Sequence, residues 1–257
     1  MTLIKICGLK RPEDIEYANA CLPDFIGFVF AESRRKIRYD EAAVLKQKLD
    51  MRIKAVGVFV NEEISRIETL CRSGTIDWIQ LHGDEDDKYI RRLKTILPNP
   101  IVKAVSVGSA APQGTTATQE TTAAQGTTAT QKTTAAQGTT ATQETTAARG
   151  TTATQKTTAA QGAPVAARGT TSADYLLFDT YSGAARGGSG NTFDWRLICG
   201  VEKPYFLAGG LDASNLAEAI TLLHPYCVDL SSGVETNGLK DYEKMMSAVD
   251  IVRRIQQ

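Results

Sequence analysis

The chain has 257 residues, of which 42% are hydrophobic, so it is long enough to bury a core of its own. Lys and Arg together number 29, as do Asp and Glu, and a zero net charge provides no basic field that would attract nucleic acid. No apolar run approaches the roughly 20 residues that span a bilayer, and MTLIKICGLKRPEDIEY lacks the apolar core of a signal peptide. These properties predict a soluble, cytoplasmic, globular protein without nucleic-acid or membrane partners.

The pattern of cysteines agrees with this prediction. There are five of them, an odd number, and no two have CxxC spacing. Such scattered cysteines argue against a disulfide framework and against a zinc site, and they are typical of a reducing compartment. We therefore expect no bound metal and a cytoplasmic location. The cysteines are Cys7, Cys21, Cys71, Cys199 and Cys227.

Short apolar runs alternate with helical patterns along most of the chain. The runs show no clean alternation of polar and apolar residues, as expected of strands that are buried on both faces of a parallel sheet. The predicted strands are residues 3–7, 25–30, 55–60, 78–82, 101–107, 175–180, 205–208 and 228–231. The predicted helices are residues 12–21, 39–49, 62–71, 86–96, 214–223 and 241–254. Asn61 and Asp212 are predicted to cap the helices that follow them.

Eight strands with intervening helices favour one α/β architecture, a (β/α)₈ TIM barrel, over a doubly wound open sheet, which is the alternative. Such a barrel needs roughly 200 to 250 residues. We assign residues 1–107 and 174–257 to the barrel. Residues 108–173 lie between the fifth and sixth strands, where an outer helix would normally pack. We predict that this segment is an insert in place of that helix.

The segment between the fifth and sixth strands is a tandem repeat. Residues 113–160 form four twelve-residue units such as QGTTATQETTAA and QGTTATQKTTAA, with no aromatic residue and no Leu, Ile or Val. Such units cannot bury the apolar area that would offset roughly 1–2 kcal/mol of backbone entropy per residue. We favour a tolerated, flexible, low-complexity duplication. The alternative is a binding or structural module carried by the barrel, for example a small β-solenoid of stacked Thr-Ala-Thr segments.

The active site of a (β/α)₈ barrel lies at the carboxyl ends of its strands, so residues at those positions should meet. The residues at or just beyond the predicted strand ends are Cys7, Arg34, Arg35, Asn61, His82, Asp179, Gly209, Gly210, Ser232 and Gly233. Such barrels commonly hold a phosphate in the loops after the seventh and eighth strands, where glycine lets backbone N–H groups approach an anion. We therefore predict a phosphate site in the two glycine-containing turns of this set.

Eight segments of the sequence resemble the signatures of one enzyme family. They are KICGLKRPEDI, DFIGFVF, VGVFVNE, QLHGDE, LLFDT, GGSGNTFDW, LAGGL and DLSSGVETNGLKD. In this order they resemble the phosphoribosylanthranilate isomerases, and the resemblance covers nearly everything outside residues 108–173. It implies an Amadori rearrangement of N-(5-phosphoribosyl)anthranilate, a step of tryptophan biosynthesis. It also implies that the substrate is a small phosphoribosyl compound and that no cofactor is needed, because the substrate's own nitrogen forms the iminium that accepts electrons.

The resemblance further implies roles for individual residues. By this resemblance, Cys7 is the general base and Asp179 is the general acid. We expect a lowered pKa for the Cys7 thiol and a raised pKa for the Asp179 carboxyl. The arginine of the second loop, best matched by Arg35, becomes the ligand of the anthranilate carboxylate. FAESRRKI lacks the proline that many relatives have, so Arg34 stays an alternative. We include His82 among the substrate-binding residues, although a purely structural strand-end histidine is equally compatible with the sequence.

A different substrate on the same barrel is a further alternative. The related isomerase of histidine biosynthesis runs the same rearrangement with paired aspartates at the first and fifth strands, whereas the first strand here ends in Cys7. Turnover measured on both substrates separates these two activities. The sequence leaves the oligomeric state open between a monomer and a homodimer.

Overall fold

The computed structural model describes residues 1–106, 171–179 and 201–255, together with the backbone of three strands between residues 115 and 146. The strands are β1 Leu3–Cys7, β2 Phe25–Val29, β3 Lys54–Phe59, β4 Trp78–Leu81, β5 Ile101–Ser106, β6 Thr115–Thr122, β7 Thr128–Ala135, β8 Glu144–Thr146, β9 Tyr175–Asp179, β10 Tyr205–Ala208, β11 Cys227–Leu230, β12 Glu235–Thr236 and β13 Leu239–Lys240. The helices are α1 Pro12–Cys21, α2 Tyr39–Lys48, α3 Ile64–Arg72, α4 Asp87–Ile96, α5 Leu216–Leu223 and α6 Tyr242–Arg254. None of these helices is both long and apolar enough to cross a membrane.

Eight of the strands close into a barrel. Their order around the barrel is β1-β11-β10-β9-β5-β4-β3-β2, and every neighbouring pair is parallel. Since β5 pairs directly with β9, the barrel closes without a strand from the segment between them. The predicted (β/α)₈ barrel is therefore confirmed, and the open doubly wound sheet is excluded.

The predicted helix caps were wrong. The helix α3 has Glu63 as its N-cap residue, without a side-chain capping bond, and α5 has Asn215 rather than Asp212. Asn61 instead adopts a left-handed backbone conformation, with φ of 51°, at the end of β3. Its side-chain oxygen accepts a hydrogen bond from the backbone N–H of Asp84 at 2.9 Å. Asn61 therefore ties the loop after β3 to the loop after β4 and does not cap a helix.

Alternate side chains of each barrel strand point inward. In β1, Ile4 and Ile6 belong to the apolar cluster that includes residues of the helices, so the residues between them face the barrel interior. The inward-facing residues of four strands build the site described below. They are Leu3, Lys5 and Cys7 on β1; Trp78, Gln80 and His82 along β4; Tyr175, Leu177 and Asp179 on β9; and Cys227, Asp229 and Ser231 along β11.

Aromatic rings fill the amino-terminal end of the barrel interior. The ring of Trp78 lies 4.9 Å, centroid to centroid, from those of Phe25 and Tyr175. Phe206 and Tyr226 complete the cluster and lie 5.8 Å from each other. Because this packing fills one end of the barrel, a ligand has to enter from the other end, at the carboxyl ends of the strands.

The tandem repeat contributes strands that lie outside the barrel. β6 and β7 pair antiparallel, and β8 pairs parallel to β6, in a separate three-stranded sheet. The register of β6 with β8 pairs Glu120 with Glu144, so equivalent positions of the first and third repeat units are neighbours. The antiparallel pair differs from the stacked parallel turns of a β-solenoid. The predicted replacement of an outer helix by residues 108–173 falls mostly outside the described residues and stays a prediction.

Candidate active site

A pocket of about 720 Å³ opens at the carboxyl ends of the barrel strands. Its size is within the roughly 300–1,000 Å³ that is typical of small-ligand sites. Seven of the eight predicted site residues line it, and these are Cys7, Arg35, His82, Asp179, Gly209, Gly210 and Ser232. The barrel therefore brings into one cavity residues that are distant from one another in the sequence.

Cys7 is the last residue of β1 and lies at the inner wall of the pocket. It is tightly packed against β2, since a Cβ atom on Gly27 would lie only 2.7 Å from the Cys7 Sγ atom. Its backbone oxygen accepts a hydrogen bond from the Ser231 hydroxyl at 3.2 Å. Burial raises the pKa of the Cys7 thiol, and the positive charge of Lys5 offsets this effect only in part. The structure thus gives the opposite of the lowered pKa that we expected.

An ion pair lies directly beneath Cys7 in the barrel interior. Lys5 is fully buried, and its Nζ atom is 2.7 Å from the Oδ2 atom of Asp229. Burial raises the pKa of Asp229, and the attraction of Lys5 offsets only part of that rise. Burial alone would lower the pKa of Lys5, but the combined effects of Asp229 and Cys7 outweigh it, so this pKa is raised. Asp229 also lines the pocket, and its buried Oδ1 atom has no hydrogen-bond partner among the described residues.

Asp179 ends β9, and its Oδ2 atom is 3.5 Å from the Nε2 atom of His82. The Nδ1 atom of His82 is 3.1 Å from the side-chain nitrogen of Gln80. The Gln80 amide thus contacts one ring nitrogen of His82, and the other ring nitrogen lies on the side of Asp179. His82 is therefore placed between a buried amide and the carboxyl that we predict to be the general acid.

Arg35 and Arg34 both bind Glu235, a buried residue of β12. Arg35 donates from Nε to Oε1 at 2.6 Å and from Nη2 to Oε2 at 3.0 Å, and Arg34 donates one bond at 2.9 Å. Lys240 donates a further bond to Glu235 at 2.8 Å. Burial alone would raise the pKa of Glu235, but Arg35 and Lys240 outweigh it and lower that pKa. The Arg35 side chain packs against Gly8, where a Cβ atom would lie 2.3 Å from its Cδ atom.

The two arginines differ in exposure. The Arg35 side chain is 20% exposed and Arg34 is 60% exposed, although both line the pocket. Because Glu235 contacts Arg35 along one edge of the guanidinium group, it fixes the direction of that group more closely than the single bond fixes Arg34. The geometry thus favours Arg35 as the better ordered of the two candidates for a carboxylate.

The two glycine-containing turns require glycine for different structural reasons. Gly209 and Gly210 have φ of 90° and 65°, which favours glycine, and both line the pocket. Ser232, at the start of a short 3₁₀ turn after β11, lines it as well. Gly233 is not part of the lining, and a Cβ atom there would lie 2.0 Å from the Leu211 oxygen. Gly233 therefore packs one loop against the other, and its contact with a phosphate stays a prediction.

Sequence reasoning missed the buried polar residues of this region. A signal for three of them was visible, because a lysine, a glutamine and an aspartate interrupt otherwise apolar strands. The missed residues are Lys5, Gln80, Asp229, Glu235 and Lys240. The GGSGNTFDW segment, residues 187–195, lies outside the described residues, and so does Cys199. In the described part of the chain, no group of three or more His, Cys, Asp or Glu side chains could hold a metal ion.

A closed parallel barrel with a thiol and a carboxyl at its carboxyl-end pocket belongs to the class of (β/α)₈-barrel enzymes, whose active sites lie at this end. A thiol and a carboxyl are both able to transfer protons, which is the chemistry of an isomerase. A model of one family, described as N-(5'-phosphoribosyl)anthranilate (PRA) isomerase, matches residues 4–130 and 138–251. The chain belongs to this family, and it is an isomerase of tryptophan biosynthesis. The matched ranges include part of the repeat and do not single out residues 108–173 as an insert.

Individual relatives agree with this family. The chain is 42% identical to the N-(5'-phosphoribosyl)anthranilate isomerase of Endomicrobium trichonymphae, over 99% of this chain and 100% of the relative. It is similar to the crystal structure of phosphoribosyl anthranilate isomerase from Thermotoga maritima, with a TM-score of 0.68, 25% identity, and coverage of 99% and 100%. A further crystal structure of this isomerase, in complex with reduced 1-(o-carboxyphenylamino)-1-deoxyribulose 5-phosphate, shares the fold with a TM-score of 0.66, 23% identity and the same coverage.

Proposed function

We propose that Cys7 and Asp179 are the acid–base pair of the Amadori rearrangement, which converts N-(5-phosphoribosyl)anthranilate into 1-(2-carboxyphenylamino)-1-deoxyribulose 5-phosphate. One observation carries the proposal: both side chains point inward from the carboxyl ends of their strands and line the same pocket. β1 and β9 are three strands apart around the barrel, so the two groups reach a bound sugar from different sides.

The two groups act in sequence. The Asp179 carboxyl donates its proton to the furanose oxygen, the bond from this oxygen to C1 breaks, and the nitrogen lone pair forms the C1–N double bond of an iminium cation. The Cys7 thiolate then takes the proton from C2, and the electrons of that C–H bond form the C1–C2 double bond of an enol amine, which tautomerises to the ketose. Burial disfavours the thiolate in the protein alone, whereas the positive charge of the iminium stabilises it when it is needed.

The remaining pocket groups match the two anionic ends of the substrate. Arg35 is positioned to bind the anthranilate carboxylate with its planar guanidinium group. Gly209, Gly210 and Ser232 are positioned to bind the phosphate through the loops after β10 and β11. A relative's complex with a reduced product analogue supports this assignment, since that compound contains both a carboxylate and a phosphate. His82 contacts Asp179 and completes the wall beside the acid.

Two substitutions test the acid–base pair. We expect Cys7→Ser and Asp179→Asn each to lower kcat by at least about 100-fold, because general acids and bases contribute about 10²–10⁴-fold, while KM changes little. The reaction is followed through the decay of phosphoribosylanthranilate fluorescence. Cys71→Ser in α3 and Asp250→Asn in α6 are matched controls, and both should keep normal turnover. Near-normal kcat in Cys7→Ser would show that the base is another residue.

A further inference from the structure

The most unusual charged residue of the barrel is Lys5. Its side chain is fully buried in the middle of a barrel strand, between Ile4 and Ile6. A buried ammonium group is costly unless it is paired. The partner is Asp229, whose Oδ2 atom is 2.7 Å away, and Lys5 and Asp229 are direct neighbours in the register of β1 with β11. The position of this pair is therefore fixed by the closed sheet itself.

Cys7 is the next inward-facing residue after Lys5 on β1. Lys5 and Cys7 are two residues apart on β1, so both point into the barrel, one layer above the other. The positive charge of Lys5 favours the thiolate form of Cys7. One fully buried positive charge thus lies beside a carboxylate of β11 and one layer below the thiol at the carboxyl end of β1.

We propose that Lys5 is a positioning residue for the base: its ammonium group orients the Cys7 sulfur and stabilises the thiolate, while Asp229 draws part of that charge away. This proposal rests on the proposed role of Cys7 in the reaction. Lys5 does not line the pocket and so acts through Cys7. Asp229 determines how strongly Lys5 stabilises the Cys7 thiolate.

The other charged groups around Cys7 are compatible with this role. Lys240 and Arg35 both bind Glu235, which directs them toward that carboxylate, although Lys240 still contributes to lowering the pKa of Cys7. The neighbouring strand β2 places Gly27, which has no side chain, against the sulfur. The charged and titratable groups that face Cys7 from the surrounding elements are Lys5, Asp229, Lys240, Arg35, His82 and Asp179. In this environment Lys5 lowers the pKa of Cys7 and Asp229 raises it, in addition to the larger effect of burial.

The proposal predicts opposite effects for the two members of the ion pair. The rate of Cys7 alkylation by iodoacetamide is measured against pH, with the modified cysteine assigned by mass spectrometry of its peptide. Lys5→Met should slow alkylation at pH 7 by about tenfold, because a rise of one pKa unit lowers the thiolate fraction tenfold. Asp229→Asn should accelerate it by about tenfold, because the thiolate then becomes the main anionic partner of Lys5. A merely structural pair would give shifts of the same sign or none, and either result overturns the proposal.

Two additional variants keep the test decisive. If Lys5→Met fails to fold because Asp229 is left unpaired, the double variant Lys5→Met/Asp229→Asn is compared with Asp229→Asn alone, and its alkylation must be slower. Lys103→Met is the matched control, since Lys103 is also a barrel lysine with a buried carboxylate partner, Glu85, and does not line the pocket. Its alkylation profile should equal that of the unsubstituted protein. Alkylation measures the reactivity of the Cys7 thiol itself, so its result can be distinguished from the effect of Cys7→Ser on turnover.

Discussion

Replacement of Gly27 by alanine tests how closely the base is held against the neighbouring strand. Gly27 is in β2, faces the barrel interior and pairs with Cys7 in the parallel register. A methyl group at Gly27 would lie 2.7 Å from the Cys7 Sγ atom and 3.1 Å from its Cα atom. Non-bonded heavy atoms are most favourably placed at roughly 3.5–4.0 Å, so Cys7 has to move by about 1 Å.

The size of that movement sets the expected effect on the reaction. A displacement of about 1 Å at a reacting group can lower the rate about 100-fold, which corresponds to about 2.7 kcal/mol in the activation free energy. The same methyl group overpacks a buried strand, which typically costs about 1–3 kcal/mol in the free energy of unfolding. We therefore expect Gly27→Ala to stay folded at room temperature, to lose about 100-fold in kcat and to change less in KM.

Gly57→Ala is the matched control for this prediction. A methyl group at Gly57, in the adjacent strand β3, would lie 2.8 Å from both Ile76 and Phe59, on the side of the strand that faces the helices. Both variants should lose similar thermal stability, but Gly57→Ala should keep kcat within about threefold, because Cys7 is not displaced. Equal losses of kcat in the two variants, or normal kcat in a folded Gly27→Ala, would refute the reasoning.

Two further predictions concern recognition and the repeat. Arg35→Ala should raise KM by about tenfold or more and Arg34→Ala much less, because Glu235 orients Arg35 more firmly; the reverse ranking in steady-state kinetics would assign the carboxylate to Arg34. Replacing residues 113–162 with a Gly/Ser linker should leave kcat/KM within about threefold and shift the free energy of unfolding by only one or two kcal/mol, since loop closure costs about 0.6 kcal/mol per doubling of length. An inactive or unfolded variant would show that the repeat covers the barrel.

The barrel strands could be predicted because each is a short apolar run, and most of these runs adjoin a helical pattern. The predicted and observed strands coincide to within one residue wherever both ends are described, for example at Leu3–Cys7 and Tyr205–Ala208. The start of α3 could not be predicted in this way. Asn61 is a residue type that is common at N-cap positions. Its side chain instead accepts a hydrogen bond from the backbone of Asp84, which links the loops after β3 and β4, and such a contact exists only once the barrel is closed.

The pocket residues at the strand ends were predictable for a similar reason. Cys7, His82 and Asp179 are each last in, or just after, an apolar run, and the geometry of a parallel barrel brings such positions together. The layer beneath them was missed, although Lys5 and Asp229 stand out as charged residues inside apolar strands. If every residue of an apolar run is taken to pack against the helices, the alternate residues that face the barrel interior are overlooked.

The direction in which the folded protein shifts the pKa of Cys7 could not be predicted from the sequence. The expectation of a lowered pKa rested on positive charge near the thiol, and that charge exists in Lys5. Burial nevertheless has the larger effect, and Asp229 adds a negative charge at short range. Which of these opposing effects prevails depends on the depth of the sulfur and on the pairing of Lys5, and both are properties of the folded barrel.

The interior of the barrel changes in character from one end to the other. Aromatic rings such as Trp78 fill the amino-terminal end, Lys5 and Asp229 lie in the layer above, and Cys7 lies at the pocket. A buried ion pair is weak evidence for stability, because apolar residues of similar volume often serve as well or better. A structural requirement alone therefore gives little reason to place two charges in this layer. The position of the pair, one layer below the proposed base, is better explained by the chemistry of the group above.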